Sequence, residues 1–373
     1  MTGKRHGARV GLAAPVSAVT ASAATVPTDL PEGDGTLTWS STTLVLVEVE
    51  AEGQVGTGYT YAPAAAVRVV DDLLAPVVLG ADALAPAAVH AEMARAVRNA
   101  GRPGLVGMAL SAVDIALWDL TARLHGLPLA RLWGGPVTDV EVYGSGGFTT
   151  YDDAQLTRQL TSWLELGLPR VKIKIGESWG QAEGRDLHRT GLARKTVGRG
   201  VELYVDANGG YSVGQACRVG RTLDDLGVTW FEEPVSSDDP AGLRRVRESV
   251  AADVAAGEYA HDPTYLAHLA GSVDCLQADV TRCGGYTSWL HVAGLTRGLQ
   301  VDLSGHCAPY LTLPVAAVTP GLRHLEWFHD HVRIEQRLFD GTPDPQSGRL
   351  TPGTEPGHGL ELRRPDFDHY RVA

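Results

Sequence analysis

Cysteine is scarce in this chain of 373 residues, and the few cysteines are widely separated. No two of them form a C-x-x-C pair; they are Cys217, Cys275, Cys283 and Cys307. This pattern argues against a disulfide-stabilised scaffold and against a zinc ribbon. It fits a protein of a reducing compartment, so we expect a cytoplasmic location.

An excess of positive charge is also missing. The chain has 32 Lys and Arg residues against 44 Asp and Glu residues, which gives a net charge of −12. A strongly acidic protein binds nucleic acid and anionic membranes poorly. In addition, no apolar run approaches the length of about 18 residues that a membrane helix needs. We therefore expect neither partner, whereas a small anionic substrate stays compatible because the charge of a site is local.

The N-terminus has some features of a secretory signal. Basic residues at 4–9 precede a stretch of small residues at 10–26, and the triplet A-S-A at 21–23 has the form of a signal-peptidase site. A proline and several hydroxyl residues interrupt the apolar core that a signal peptide needs. The alternation of apolar and polar residues at 16–20 favours a β-strand instead.

Glycine-rich phosphate-binding motifs are absent as well, since the sequence has neither a G-x-G-x-x-G fingerprint nor a Walker loop. From about residue 139 onward, short apolar segments recur at intervals of 20 to 31 residues, with helical patterns in several of the gaps. These candidate strands begin near Val140, Arg170, Val201, Val228, Val254, Asp274, Gln300 and Leu322. The alternation predicts an α/β fold, a (β/α)8 barrel of the TIM type, complete or with one helix displaced; an open doubly wound sheet is the alternative.

The first third of the chain predicts an α+β domain. Strand-like alternation occurs at 14–26 and 41–61, and the polar segment 27–35 between them is predicted to be a loop. Helical periodicity follows in three segments, 64–78, 86–99 and 105–125. We therefore expect an α+β domain, a barrel and a C-terminal segment that packs back on the first domain, at residues 1–135, 136–335 and 336–373.

Two lysines alternate with apolar residues in the second barrel strand, Lys172 and Lys174. Period two places both on one face, and both enter the barrel if the apolar face meets the helices. Two ammonium groups in a confined site lower each other's pKa, which suits a general base. The alternative is a solvated edge strand, which fits poorly between flanking helices.

Three acidic residues follow successive strands at equal spacing. Asp206, Glu232 and Glu258 are 26 residues apart, one strand–helix unit each. A single acid at a strand end is often a helix N-cap, but three in register repel each other unless a cation lies among them. Ligands that are all oxygen favour Mg²⁺.

The remaining strand ends carry an imidazole and further polar groups. Asp279 and His306 are 27 residues apart, and a carboxylate beside an imidazole fixes its tautomer and raises its basicity. Glu326 and Ser145 follow the eighth and first strands; each alone is more often a cap or a solvated group. The set suits abstraction of a proton next to a carboxylate, through an enediolate whose charge Mg²⁺ and Lys172 stabilise.

These residues resemble the enolase superfamily, in particular its mandelate racemase-like subgroup. The segment SAVDIALWDL at 111–120 is similar to a helix of that family's capping domain, and the K-x-K motif at 172–174 matches the family's motif. The resemblance implies Lys174 and His306 as bases, with Lys172, Asp279 and Glu326 beside them. It also implies Mg²⁺ on the three strand-end acids, and substrate near Asn208 and Ser145. It implies a capping domain built from both chain ends.

The resemblance leaves the reaction open. We expect dehydration of an acid sugar to a 2-keto-3-deoxy acid, and the alternative is a racemase or epimerase that uses the same two bases. A different class is a non-catalytic binding barrel, which would be expected to lose some of these residues. The H-x-H at 329–331 follows the eighth strand and is interpreted as a loop or pocket edge rather than a zinc site. A small carboxylate, most simply a sugar acid, is the expected partner, and the protein is expected to form a homo-oligomer.

Overall fold

The computed structural model describes residues 13–135 and 137–373; the basic residues at 4–9 lie outside this part. The first domain begins with a three-stranded antiparallel sheet of order β1-β2-β3. Its strands are β1 (Ala18–Gly33), β2 (Thr38–Ala51) and β3 (Gln54–Tyr61). The start of β1 confirms the strand predicted near the N-terminus.

Both faces of β2 are buried, in two different cores. Leu44 and Leu46 belong to the core that the sheet shares with the barrel, whereas Val45 and Val47 pack with the helices of the first domain. Because successive side chains of a strand point to opposite faces, the sheet forms a wall between these two cores.

The predicted loop at 27–35 is wrong for most of its length. The strand β1 continues to Gly33, and its register with β2 shifts between Pro27 and Glu32. Proline is tolerated here because β1 is an edge strand, where a missing N–H costs no ladder bond. The turn itself is short, and Asp34 closes it by accepting hydrogen bonds from the backbone N–H groups of Thr36 and Leu37.

Helices follow the sheet, as the periodicity predicts. They are α1 (Ala66–Val69), a π-helical turn (Val70–Leu74), α2 (Ala75–Val78), α3 (Pro86–Ala96) and α4 (Leu105–His125). The expectation that no apolar run approaches the length of a membrane helix is wrong for α4, which is long and apolar enough to cross a membrane, with a mean hydropathy of 1.5. It is the one such helix among the described residues. However, 78% of that apolar window is buried inside the protein, where α4 packs against the sheet and against the barrel.

A closed barrel of eight parallel strands follows, because the last strand pairs with the first. The strands are β4 (Val140–Gly146), β5 (Arg170–Lys174), β6 (Glu202–Asp206), β7 (Val228–Glu232), β8 (Asp253–Ala256), β9 (Cys275–Ala278), β10 (Asp302–Gly305) and β11 (Leu322–Phe328). This confirms the (β/α)8 prediction and excludes the open sheet.

A helix follows each of these eight strands. After α5 (Leu129–Leu132), which precedes the barrel, they are α6 (Asp153–Glu165), α7 (Glu183–Val197), α8 (Val213–Asp225), α9 (Pro240–Arg247), α10 (Pro263–Leu269), α11 (Gly285–Leu299), α12 (Pro309–Ala316) and α13 (His329–Leu338). Side chains fill the barrel interior below the site, namely Tyr143, Tyr204, Trp230, Ala255 and Cys275.

The C-terminal segment contains short elements only, β12 (Phe339–Asp340), β13 (Arg349–Leu350), β14 (Glu361–Leu362) and α14 (Arg364–His369). The backbone N–H of Ala23, in β1, donates to the carbonyl of Ala373, and that of Thr25 donates to Tyr370. Since α13 runs through residue 335, that predicted boundary falls inside a helix. The division at 135 and 335 stays a prediction.

We predict that Gly58→Ala destabilises the protein by about 1–3 kcal/mol, the usual range for overpacking. A Cβ atom at Gly58 in β3 would lie 2.3 Å from the carbonyl oxygen of Ala112 in α4, a backbone atom that cannot move away cheaply. Denaturant unfolding measures the change. The control is Gly294→Ala in α11, where an added Cβ atom would have no neighbour within 4 Å. Because alanine favours a helix more than glycine does, this substitution should stabilise the protein by about 0.5–1 kcal/mol. Equal effects of the two substitutions would contradict the close packing of β3 on α4.

Candidate active site

The register of the parallel strands brings the charged residues to one end of the barrel. Lys174 in β5 lies opposite Asp206 in β6, and Asp206 lies opposite Glu232 in β7. Ser145 in β4 lies opposite Lys172. The carboxyl ends of the strands therefore carry these side chains, as in enzymes built on this type of barrel.

The three strand-end acids meet as predicted. Asp206, Glu232 and Glu258 are buried, and each offers a carboxylate oxygen within 4.8 Å of the other two. Lys174 forms an ion pair with Asp206, and the indole N–H of Trp230 donates to Glu232 Oε2 at 2.8 Å. The backbone N–H of Asn208 donates to Asp206 Oδ1 at 2.8 Å, so that Asp206 and Glu232 each have a protein donor.

Lys172 lies beneath the triad and is completely buried. Its Nζ contacts Glu232 and lies 2.8 Å from Glu326 Oε1 and 3.7 Å from Asp206 Oδ2. One ammonium group therefore offsets part of the charge of three carboxylates.

Asp279 and His306 also meet. His306 Nδ1 lies 2.8 Å from Asp279 Oδ2, and Thr281 donates to the other oxygen of Asp279 through its backbone N–H and its hydroxyl. The opposite ring nitrogen, Nε2, lies 3.1 Å from Glu258 Oε2. Asp279 therefore holds the imidazole ring through Nδ1, and Nε2 points towards Glu258 of the triad.

A cavity of about 600 Å³ opens over these groups. Lys174, His306, Glu258, Glu326 and Asn208 contribute to its wall. Further lining residues come from the first domain, among them Asp34, Leu37, Trp39, Ser41, Thr42, Thr43 and Tyr61. The hairpin of β1 and β2 therefore closes one side of the cavity.

The two residues predicted to lie near substrate differ in position. Asn208 lines the cavity, and its buried side-chain oxygen has no hydrogen-bond partner. Ser145 is fully buried outside the cavity wall, and its hydroxyl donates to Glu326 Oε1 at 2.6 Å. The Ser145 hydroxyl therefore contacts Glu326, and it does not face the cavity.

The neighbouring lysine does lower the pKa of Lys174, as expected, but it does not set the net direction. Burial lowers this pKa most, whereas the carboxylates of Asp206, Glu258 and Glu232 together outweigh both effects, and the net pKa is above its usual value. The same holds for Lys172, where burial is outweighed by Glu232, Glu326 and Asp206. The carboxylates therefore outweigh burial at both lysines, and a cation bound to Asp206, Glu232 and Glu258 would oppose their effect on the pKa.

His306 and Glu258 influence each other's pKa. Burial lowers the pKa of His306, but Cys307, Glu258 and Glu326 raise it well above its usual value. Burial raises the pKa of Glu258, whereas His306 and then Arg282 lower it, with a net result below the usual range. A protonated imidazole beside an ionised carboxylate is the state that these contacts favour.

The H-x-H segment forms the first turn of α13 rather than a loop. His331 stacks on Tyr61, with ring centroids 3.4 Å apart, and its Nδ1 accepts a hydrogen bond from the backbone N–H of Ala308. Asp330 and His331 line the cavity, as the pocket-edge interpretation predicts. Among the described residues, the clusters with metal-ligand spacing do not include either histidine of the segment.

Several cavity residues escaped the sequence analysis. Cys307 adjoins His306, and Arg282 follows Asp279 by three residues, so adjacency to a strand end was the available signal. Trp39 and Tyr61 gave no local signal, because their position in the cavity depends on how the sheet packs on the barrel.

The triad has the properties of a site for a hard divalent cation. Its donors are carboxylate oxygens only, which suits Mg²⁺. Glu258 Oε2 is buried and makes no hydrogen bond, although such atoms are normally paired. These features fit an ion among Asp206, Glu232 and Glu258.

Two family models match the chain. The model of the mandelate racemase / muconate lactonizing enzyme N-terminal domain matches residues 18–134, and that of the enolase C-terminal domain-like family matches residues 155–366. The chain belongs to the mandelate racemase/muconate lactonizing enzyme family of the enolase superfamily. This confirms the predicted family.

Characterised relatives include a 3,6-anhydro-alpha-L-galactonate cycloisomerase of Streptomyces coelicolor, which is 32% identical over 323 residues and covers 84% of this chain and 86% of its own length. An L-talarate/galactarate dehydratase of Salmonella typhimurium is 30% identical over 302 residues, 77% of this chain and 73% of its own. Both of these relatives are enzymes named for sugar acids.

Solved structures show the same fold. A mandelate racemase/muconate lactonizing enzyme-like protein from Rubrobacter xylanophilus is 49% identical, with a TM-score of 0.91 and coverage of 96% of this chain and 100% of the other. A racemase from Streptomyces coelicolor with bound magnesium is 30% identical, with a TM-score of 0.90 and the same coverage.

We predict that Ser145→Ala lowers the free energy of unfolding by about 1–3 kcal/mol, because it removes a hydrogen bond to a buried charged acceptor. The matched control is Ser162→Ala in α6, where the exposed hydroxyl donates only to the carbonyl of Gln159 and the change should stay within about 0.5 kcal/mol. Denaturant unfolding of both variants measures the difference. Indistinguishable stabilities would mean that the contact of Ser145 with Glu326 contributes nothing.

Proposed function

We propose that this protein abstracts the proton next to the carboxylate of a sugar acid, with Mg²⁺ as cofactor, and dehydrates the acid to a 2-keto-3-deoxy acid. The observation that carries the proposal is the placement of two proton-transfer groups in one cavity. Lys174 is paired with Asp206 at one end of the triad, and His306 lies beside Glu258 at the other.

Asp206, Glu232 and Glu258 would hold the Mg²⁺. The ion would supply positive charge that attracts the substrate carboxylate and the negative charge that develops when the proton leaves. Glu326 would contact the substrate carboxylate, and Lys172 would stabilise the charge of the intermediate while it keeps Glu232 and Glu326 in position.

Lys174 or His306 would take the proton from the carbon next to the carboxylate. In dehydration, His306 as an imidazolium then gives a proton to the hydroxyl of the adjacent carbon, which leaves as water. The enol that results becomes the 2-keto acid by protonation at the former hydroxyl-bearing carbon. Asp279 supports this role, because its bond to Nδ1 fixes the ring and stabilises the imidazolium.

Asn208 and Ser145 are assigned different tasks. Asn208 faces the cavity with an unpaired oxygen, so we assign it a hydrogen bond to a substrate hydroxyl. Ser145 would act through Glu326, as a positioning residue.

The cytoplasmic location and the homo-oligomeric state stay predictions.

A racemase or epimerase is the second candidate, because the same cavity offers two groups that can exchange protons. In such a reaction, one of the two groups, Lys174 or His306, removes the proton from one face of the carbon, and the other returns a proton to the opposite face. Both reactions share the first step, so the fate of the intermediate decides between them.

Proton NMR of a library of sugar acids with the enzyme and Mg²⁺ in D₂O tests the proposal. Loss of the proton next to the carboxylate together with a new 3-deoxy signal establishes dehydration. Deuterium incorporation without elimination assigns the racemase or epimerase. An isomeric product without exchange of water would point to cycloisomerisation instead, and silence across the library would contradict catalysis on this class.

Replacing Lys174 tests its role as a base. Lys174→Met removes the ammonium group but keeps the length of the side chain, and we expect kcat to fall by about 10²–10⁴-fold, the usual contribution of a general base. Lys195→Met is the matched control, since Lys195 is exposed on α7. Steady-state kinetics on the substrate found by NMR measures both. Full activity of Lys174→Met would remove this lysine from the mechanism.

The proposed Mg²⁺ site can be tested without a substrate. Mg²⁺ at about 100 times its Kd should stabilise the protein by about 2.7 kcal/mol, and Glu258→Gln should reduce this effect because it removes one charged ligand. Glu355→Gln, at an exposed position, should respond to Mg²⁺ like the unmodified protein. Thermal unfolding with and without the metal is the measurement. Equal shifts in all three proteins would place the ion elsewhere.

A further inference from the structure

Cys307 lies in the cavity wall beside two groups that the proposed reaction uses. Its Sγ is 3.3 Å from His306 Nε2 and 3.4 Å from Glu326 Oε2. The third side of this triangle, from His306 Nε2 to Glu326 Oε2, is 3.5 Å. A sulfur, a nitrogen and an oxygen donor therefore converge on one point.

We propose that Cys307, His306 and Glu326 form a binding site for a soft divalent cation, of which Zn²⁺ is the prime example, and that its occupation inhibits the enzyme. A tetrahedral Zn²⁺ has sulfur at about 2.3 Å and nitrogen and oxygen at about 2.0–2.2 Å. These bond lengths place nitrogen and oxygen about 3.3–3.5 Å apart, and each of them about 3.5–3.7 Å from sulfur. The three separations in the cavity are close to these values, so that small side-chain shifts would complete the geometry.

The surroundings of the ligands support this site. His306 donates through Nδ1 to Asp279, which leaves Nε2 for the metal; a carboxylate behind a metal-binding histidine is a frequent arrangement. Glu326 Oε1 is occupied by Ser145 and Lys172, so that Oε2 faces the sulfur. The backbone N–H of Cys307 donates to this Oε2 at 3.0 Å and fixes its direction.

A fourth ligand atom lies beside the same place. Glu258 Oε2 is buried and lies 3.1 Å from His306 Nε2, with which it forms an ion pair. An ion bound to the imidazole would lie within reach of this oxygen, which could fill the fourth position.

Ligand chemistry separates this site from the triad. Thiolate and imidazole select Zn²⁺, Co²⁺ or Cd²⁺, whereas Mg²⁺ prefers oxygen. Binding releases the protons of the Cys307 thiol and of His306 Nε2 to solvent as the metal–sulfur and metal–nitrogen bonds form. His306 then has no lone pair or proton to exchange with substrate. The inhibition rests on the proposed function, whereas the binding does not.

Cobalt provides the test, because a thiolate ligand gives Co²⁺ an intense near-ultraviolet charge-transfer band. Co²⁺ is added to the full-length protein with Mg²⁺ in excess, which keeps the triad occupied. We expect this band to saturate at one equivalent in the unmodified protein and in Cys217→Ser, a buried cysteine away from the cavity, and to vanish in Cys307→Ser. No band in the unmodified protein, or a band that survives in Cys307→Ser, overturns the site.

Cadmium NMR of the unmodified protein gives a result that depends on no variant. Mg²⁺ in excess keeps the triad occupied, as in the cobalt experiment. A ¹¹³Cd resonance shifted downfield by one sulfur ligand supports the site, and the absence of any such resonance overturns it. With a substrate in hand, Cys307→Ser should be at least about tenfold less sensitive to Zn²⁺ than the unmodified enzyme, each relative to its own activity. Unchanged sensitivity overturns the inhibition. Absence of turnover with every substrate would contradict the proposed function and leave the spectroscopic result standing.

Discussion

The mutual compensation of buried charge at the carboxyl ends of the strands is the interaction on which the site depends. Asp206, Glu232 and Glu326 surround Lys172, which touches all three. Removing Lys172 would leave Glu232 and Glu326 without their cationic partner, and breaking a buried ion pair in this way is strongly destabilising. The arrangement therefore depends on Lys172, and the excess of carboxylates favours added positive charge.

The compensation has two distinct regions with different donors. At Asp206 and Glu232, the charged partners are lysines and the metal-ligand atoms are oxygens only. Around His306, whose neighbours are Asp279, Cys307 and Glu326, the imidazole nitrogen and the Cys307 sulfur join the carboxylate oxygens. The cavity therefore presents a hard side and a soft side to whatever enters it, and the two sides meet at Glu258.

The sequence analysis succeeded where chemistry repeats with the strand–helix unit. Asp206, Glu232 and Glu258 could be aligned by their spacing alone, because parallel strands end at the same edge. It failed where long-range contacts decide. The segment 27–35 carries prolines and polar residues, yet most of it is an edge strand. The pKa of Lys174 could not be inferred from a second lysine, because the register with Asp206 was needed for the larger influence.

The strand β2 contributes to both hydrophobic cores, and this has a consequence for unfolding. Leu44 and Val45 are neighbours in sequence, yet they stabilise opposite sides of the sheet. The sheet cannot leave the barrel without exposing one core, nor lose its own helices without exposing the other. The two regions should therefore melt in a single cooperative transition, and the cavity that they share should exist only while both are intact.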